Sequence, residues 1–87
     1  MKALILAVHH AVMEYYDRSK PWEVDSVKFT IRFDKRGRVT EIAHTPIPKE
    51  YENDLIERVR EVAEPHGKEF AGMLANVVVG FKNPSRN

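Results

Sequence analysis

The chain contains no cysteine, which removes disulfides, zinc ribbons and thiol nucleophiles together. That absence is compatible with any compartment. Long hydrophobic runs are missing too. The longest apolar start, Ala3 to Val8, is stopped by His9-His10, far short of a bilayer span and without the small-residue cleavage pattern of a secretory signal. No membrane insertion by this segment is expected. Charge of one sign is not in surplus: the net charge is +1 with His neutral, so the chain as a whole is neither a polyanion binder nor an acidic tail. There is no glycine-rich phosphate loop, internal repeat or low-complexity stretch. What remains is 87 residues, 43% of them hydrophobic, enough for one modest core and a single domain over 1–87.

The most regular segment is Val27 to Thr45. Val27, Phe29, Ile31 and Phe33 alternate with Lys28, Thr30, Arg32 and Asp34, giving a strand with one apolar and one wet face. Asp34 to Arg38 supplies turn chemistry around Gly37, and Val39-Thr40-Glu41-Ile42 follows at hairpin distance. Val39 and Ile42 stand three apart and cannot share a face of a regular strand. A bulge near Thr40-Glu41, or an outward Ile42, resolves this.

Upstream, Leu4, Ile5, Val8, Ala11, Val12, Tyr15 and Tyr16 recur at spacings of three and four and predict an amphipathic helix. Asp17 to Ser26 connects it to the hairpin, and Trp22 in that loop is read as a lid over the core edge. Downstream, Pro48 fits the first turn of a second helix whose apolar stripe is Tyr51, Leu55, Ile56, Val59, Val62 and Ala63. Asp54 and Arg58 form an i,i+4 pair, and Pro65-His66-Gly67 stops the helix. Leu74 to Phe81, with three consecutive valines, reads as a strand with both faces partly covered. The tail Ser85-Arg86-Asn87 is expected to fray.

The order α-β-β-α-β predicts an α+β, two-layer sandwich with two helices against a three-stranded sheet. A right-handed crossover returning beside the first strand gives sheet order 2-1-3, with the third strand at an edge. The expected core is Val8, Val12, Tyr15, Phe29, Ile31, Leu55, Val59, Val62, Val77 and Val79, with nothing from the second strand.

On these motifs the chain resembles the C-terminal domain shared by the TonB and TolA energy-transducing proteins of Gram-negative envelopes. The turn Asp34-Lys35-Arg36-Gly37-Arg38-Val39 matches that family's Asp-x-x-Gly-Arg-Val, and Thr40-Glu41-Ile42 continues it. Tyr51 to Val59 aligns without gaps to the family's second helix, Tyr15-Tyr16 to the aromatic end of its first, and Phe81-Lys82-Asn83-Pro84 to its closing Phe-x-x-Pro. The likeness covers nearly the whole chain, with Thr45-Pro46-Ile47-Pro48 replacing the family's Ser-Ser-Gly. It implies a domain without cofactor that takes up a partner by extending its sheet. An excised envelope domain would be periplasmic, and a complete chain cytoplasmic.

Little in the residues speaks for catalysis or metal. His9 and His10 project about 100° apart on a helix, and His44 and His66 lie on other elements, so no metal site is expected. Ser19, Ser26 and Ser85 sit outside any nucleophile elbow, and no two carboxylates share an apolar pocket. An enzyme is not expected. Two binding surfaces are. The first is the last strand, where Leu74, Asn76, Val77, Val78, Val79 and Phe81 would meet another protein, or a second copy of the chain, by strand addition. The second is the basic hairpin, Lys28, Arg32, Lys35, Arg36 and Arg38, an alternative surface for nucleic acid that lacks interleaved aromatics. The leading expectation is a non-enzymatic protein-binding module. Its alternative is a free-standing phage- or plasmid-type protein that inhibits or adapts a host protein.

Overall fold

Helix α1 (Lys2–Met13) leads into a hairpin of β1 (Ser26–Phe33) and β2 (Val39–His44); helix α2 (Lys49–Ala63), a 3₁₀ segment (Glu64–Phe70) and β3 (Leu74–Gly80) follow. This computed structural model describes residues 2–81; the expected fraying tail and the Phe-x-x-Pro ending beyond Phe81 lie outside the described residues. The sheet order is β2-β1-β3, with β1 antiparallel to both neighbours. β2 and β3 therefore run the same way on either side of β1, as the crossover argument requires. Both helices lie on one face, α1 over β3 and α2 over β2, and they pack against each other.

The alternation in β1 turns Val27, Phe29, Ile31 and Phe33 into this single core face, joined by Ala75, Val77 and Val79 from β3. β3 thus differs from expectation. Its burial alternates strictly, because the helices cover one side of the sheet only, and the other side carries exposed Leu74, Asn76 and Val78. β2 also contributes more than expected. Arg32 pairs with Glu41 and Phe33 with Val39, so Thr40 is an extra residue, and its Oγ1 donates to the Arg32 carbonyl at 3.3 Å. This bulge brings Val39 back to the face from which Ile42 projects, and Val39 is buried.

Of the expected core, Tyr15 and Val62 are only half-buried, packed against its border. The larger difference is what was missing from it: Trp22, Ile47 and Phe70 all lie inside. Trp22 does act as a lid, its ring against Tyr16 (5.5 Å between centroids) and Phe81 (5.3 Å). Pro48 stands at the N-cap of α2, one place before the helix, and Tyr51 N–H closes on its carbonyl. Past Ala63 the chain tightens into the 3₁₀ segment, with Pro65 in its first turn, and this delivers Phe70 onto Phe33 at 5.7 Å. Arg58 does not pair with Asp54. Its Nε and an Nη reach both carboxylate oxygens of Glu14, in the turn just after α1, at 3.1 and 3.2 Å, and a second Nη reaches Glu61.

Candidate functional site

The two edges of the sheet are built differently. At β2 the ladder is broken by the Thr40 bulge, Glu41 adds a charge, Pro46 and Pro48 follow, and Arg60 Nη1 donates to the Val39 carbonyl at 3.0 Å. Bulges, charges and prolines are the features that prevent another strand from pairing. β3 has none of them: Leu74–Gly80 contains no charged residue and no proline, and among the described residues it pairs only with β1.

Register fixes which groups of β3 are available. Phe33 N–H bonds to the Met73 carbonyl (3.0 Å) and Phe81 N–H to the Asp25 carbonyl (2.8 Å), so odd-numbered residues of β3 exchange hydrogen bonds with β1. On the other side of β1, Thr45 N–H bonds to the Lys28 carbonyl, so the even-numbered residues of β1 serve β2. The N–H and C=O groups of Leu74, Asn76, Val78 and Gly80 consequently point away from the sheet. Of the six residues singled out on this strand, Leu74, Asn76 and Val78 lie on the free edge. Val77, Val79 and Phe81 bond inward, the valines buried and the Phe81 ring stacked on Tyr16 at 4.4 Å.

The basic residues divide in the same way. Lys28 and Arg32 project from β1 onto the open face of the sheet, Lys28 beside Val78 and Arg32 beside Leu74. Between them Thr30 Oγ1 donates to Asn76 Oδ1 at 2.8 Å. Arg38 is turned back onto Asp34, Nε to Oδ2 at 3.2 Å, while Lys35 and Arg36 are exposed at the turn. The Asp34 carboxylate also accepts the Arg36 and Arg38 backbone N–H groups at 2.8 and 2.9 Å; these bonds, Arg38 N–H foremost, hold its pKa below the usual range. The turn and the edge are neighbours, because Gly72 N–H, just before β3, bonds to the Asp34 carbonyl at 2.7 Å. The apolar edge and the cations, two separate surfaces in the sequence, thus form one continuous surface. The open face carries no aromatic ring among the described residues.

Among the described residues, the exposed large hydrophobics are Met73, Leu74 and Val78, on or beside β3, and Ile5 and Leu6 on α1, whose buried side packs over the opposite face of the sheet. Elsewhere, a cleft of about 370 Å³ opens between the Pro21–Val24 loop and the entry to α2, lined by Trp22, Ile47 and Tyr51 together with the charged Asp17, Lys20, Glu23 and Glu50. Sequence reasoning missed it because its walls come from two loops distant in the chain. Among the described residues no three His, Asp or Glu side chains converge as a metal site, and His44 Nδ1 lies 2.8 Å from the Thr45 carbonyl. No helix among them is long and apolar enough to cross a membrane. No family model, curated protein or solved structure matches this chain. The likeness to the TonB and TolA domains therefore rests on the sequence motifs alone.

Proposed function

We propose that this chain is a non-enzymatic protein-binding module that takes an extended segment of another protein as a fourth strand beside β3. The observation that carries this reading is the asymmetry of the edges: β2 is bulged, charged and tied down, whereas β3 is uncharged and turns four residues' backbone groups outward. An uncovered edge of this kind favours association, and main-chain hydrogen bonds supply the affinity. Leu74 and Val78, exposed on the open face of β3, give the side chains of an added strand something to cover. The resemblance to the envelope energy transducers supports the same mode and, within this reading, an envelope partner.

Proline distinguishes the two sides of β3. Val78 N–H points outward, so Val78→Pro keeps the ladder to β1 and removes one donor from the free edge. Val77 N–H bonds to Phe29, so Val77→Pro removes a donor from the centre of the sheet. Val78→Pro is expected to fold and lose binding, and Val77→Pro to fail in folding, as read by circular dichroism and by partner capture with the purified chain. Hydrogen exchange on the unmodified chain gives an independent reading. Added partner should slow exchange at Leu74, Asn76 and Val78. Unchanged exchange there in a formed complex, or full binding by a folded Val78→Pro, would exclude strand addition at β3.

A further inference from the structure

We infer that the strand received at β3 carries two acidic residues four positions apart on its open-face side, with a small polar residue midway between them. The inference rests on strand addition at β3 and names the partner's chemistry. It follows from what stands one strand in from the edge. Across the open face the rows read Lys28–Val78, Thr30–Asn76 and Arg32–Leu74, and an added strand would extend each row by one residue. Its residue in the Lys28 row and its residue in the Arg32 row are four apart, a separation of about 13 Å.

Those two end positions each lie two strand spacings from a cation, about 10 Å between backbones. Val78 and Leu74 between them are uncharged, so the stems of Lys28 and Arg32 can lie across them while their charged ends reach outward. Neither cation makes an ion pair among the described residues, although Glu41 stands opposite Arg32 in the register. Carboxylates at the two ends complement this charge. In the middle row the Thr30–Asn76 hydrogen bond leaves the Asn76 amide to continue the ladder to a Thr, Ser or Asn. The pattern acid–polar–acid reads alike in both directions and so fits a parallel or an antiparallel partner. A second copy of this chain fits poorly. Its own β3 presents Leu74, Asn76 and Val78, with no acid, and pairing two copies would bring two sets of Lys28 and Arg32 onto one face with no acid between them, each Glu41 standing on the far side of its own β1.

The test uses labelled peptides with the centre Val-Glu-Val-Asn-Val-Glu-Val, flanked by Gly-Ser for solubility, and counterparts with both Glu replaced by Gln or by Lys. Anisotropy is followed at low and high salt with the wild-type chain, Val78→Pro, and the double variant Lys28→Glu/Arg32→Glu. The acidic peptide should bind roughly tenfold more tightly than its Gln counterpart, and added salt should narrow that difference. The double variant should prefer the Lys peptide, and Val78→Pro should lose all three. Equal binding of acidic and Gln peptides, both lost in Val78→Pro, would overturn the charge pattern and leave strand addition standing. Binding that survives in a folded Val78→Pro would remove strand addition and this inference together. Without peptide binding, a wild-type dimer split by Val78→Pro would give the edge to a second copy and overturn the inference. A single-stranded oligonucleotide bound where no peptide binds, and lost in the double variant, would overturn it in favour of phosphate.

Discussion

Gly37 and Gly67 meet backbone to backbone, and that contact fastens the hairpin turn to the 3₁₀ segment. A Cβ on Gly37 would lie 2.6 Å from the Gly67 carbonyl carbon, and one on Gly67 would overlap the Gly37 carbonyl. Gly37 also needs its positive φ of 81° to close the turn. Gly67→Ala should therefore cost about 1–3 kcal/mol as an overpacked contact. Gly80→Ala, with open space where its Cβ would go, should stay within about 0.5 kcal/mol. Chemical denaturation of the two variants checks the pair, and equal stabilities would mean that the turn does not rest on the 3₁₀ segment. Tyr16 presents the opposite situation. Its ring stacks on Phe81, but its hydroxyl is buried with no hydrogen-bond partner among the described residues. Tyr16→Phe keeps the stack and removes a desolvated polar group, so a gain of about 1 kcal/mol is expected. A loss of similar size would show that the hydroxyl is bonded.

At the scale of elements, the sheet depends on one strand being irregular. Thr40 sits unpaired in β2, and the chain on either side of it pairs with β1 in normal fashion, Glu41 with Arg32 and Val39 with Phe33. Deleting Thr40 would join these two stretches into a regular strand without moving Val39 or Ile42 off the core face. The deletion variant should fold and, having lost the bulge, should self-associate through a straightened β2 edge. Placing it in a Val78→Pro background keeps β3 from contributing to that association. Sedimentation velocity over a range of concentrations decides the matter. A deletion variant that remains monomeric would mean that Glu41 and Arg60, rather than the bulge, protect this edge. Where the helices pack against each other, Arg58 of α2 also makes a two-point contact at the surface with Glu14, in the turn that follows α1.

For the molecule as a whole, periodicity made the architecture legible, and long-range contacts decided the rest. The spacing of Leu55 and Val59 and the alternation of Phe29 and Ile31 named both layers, and the crossover rule placed β3 at the edge. Ile47 and Phe70 were not legible as core because each lies in a connection whose path is set by tertiary packing. Helix spacing offers Arg58 its neighbour Asp54 and cannot reveal a partner 44 residues upstream, in the turn after α1. The free groups of β3 could be narrowed to two registers from sequence, and only the pairing with β1 selects one. Hydrogen-bonded carboxylates, one held by a long-range contact and two by local ones, shape the response to acid. Glu14 is held below its ordinary pKa of 4.5 by hydrogen bonds from Arg58. Asp17 and Asp34 are held below 3.8, Asp17 first by the Ser19 hydroxyl and Asp34 first by the Arg38 backbone N–H. A carboxylate with a depressed folded-state pKa contributes stability that is fully present above its unfolded pKa and disappears as pH falls through the folded one. All three act in this direction, so the melting temperature should hold near neutrality and fall progressively below about pH 5. In the triple variant Glu14→Gln/Asp17→Asn/Asp34→Asn the neutral-pH melting temperature should be lower and the acid slope shallower, the two curves converging at low pH. Salt should weaken the Glu14 contribution most, since its partner is a cation at the surface. Parallel curves for wild type and triple variant across the whole range would place the acid sensitivity in other carboxylates.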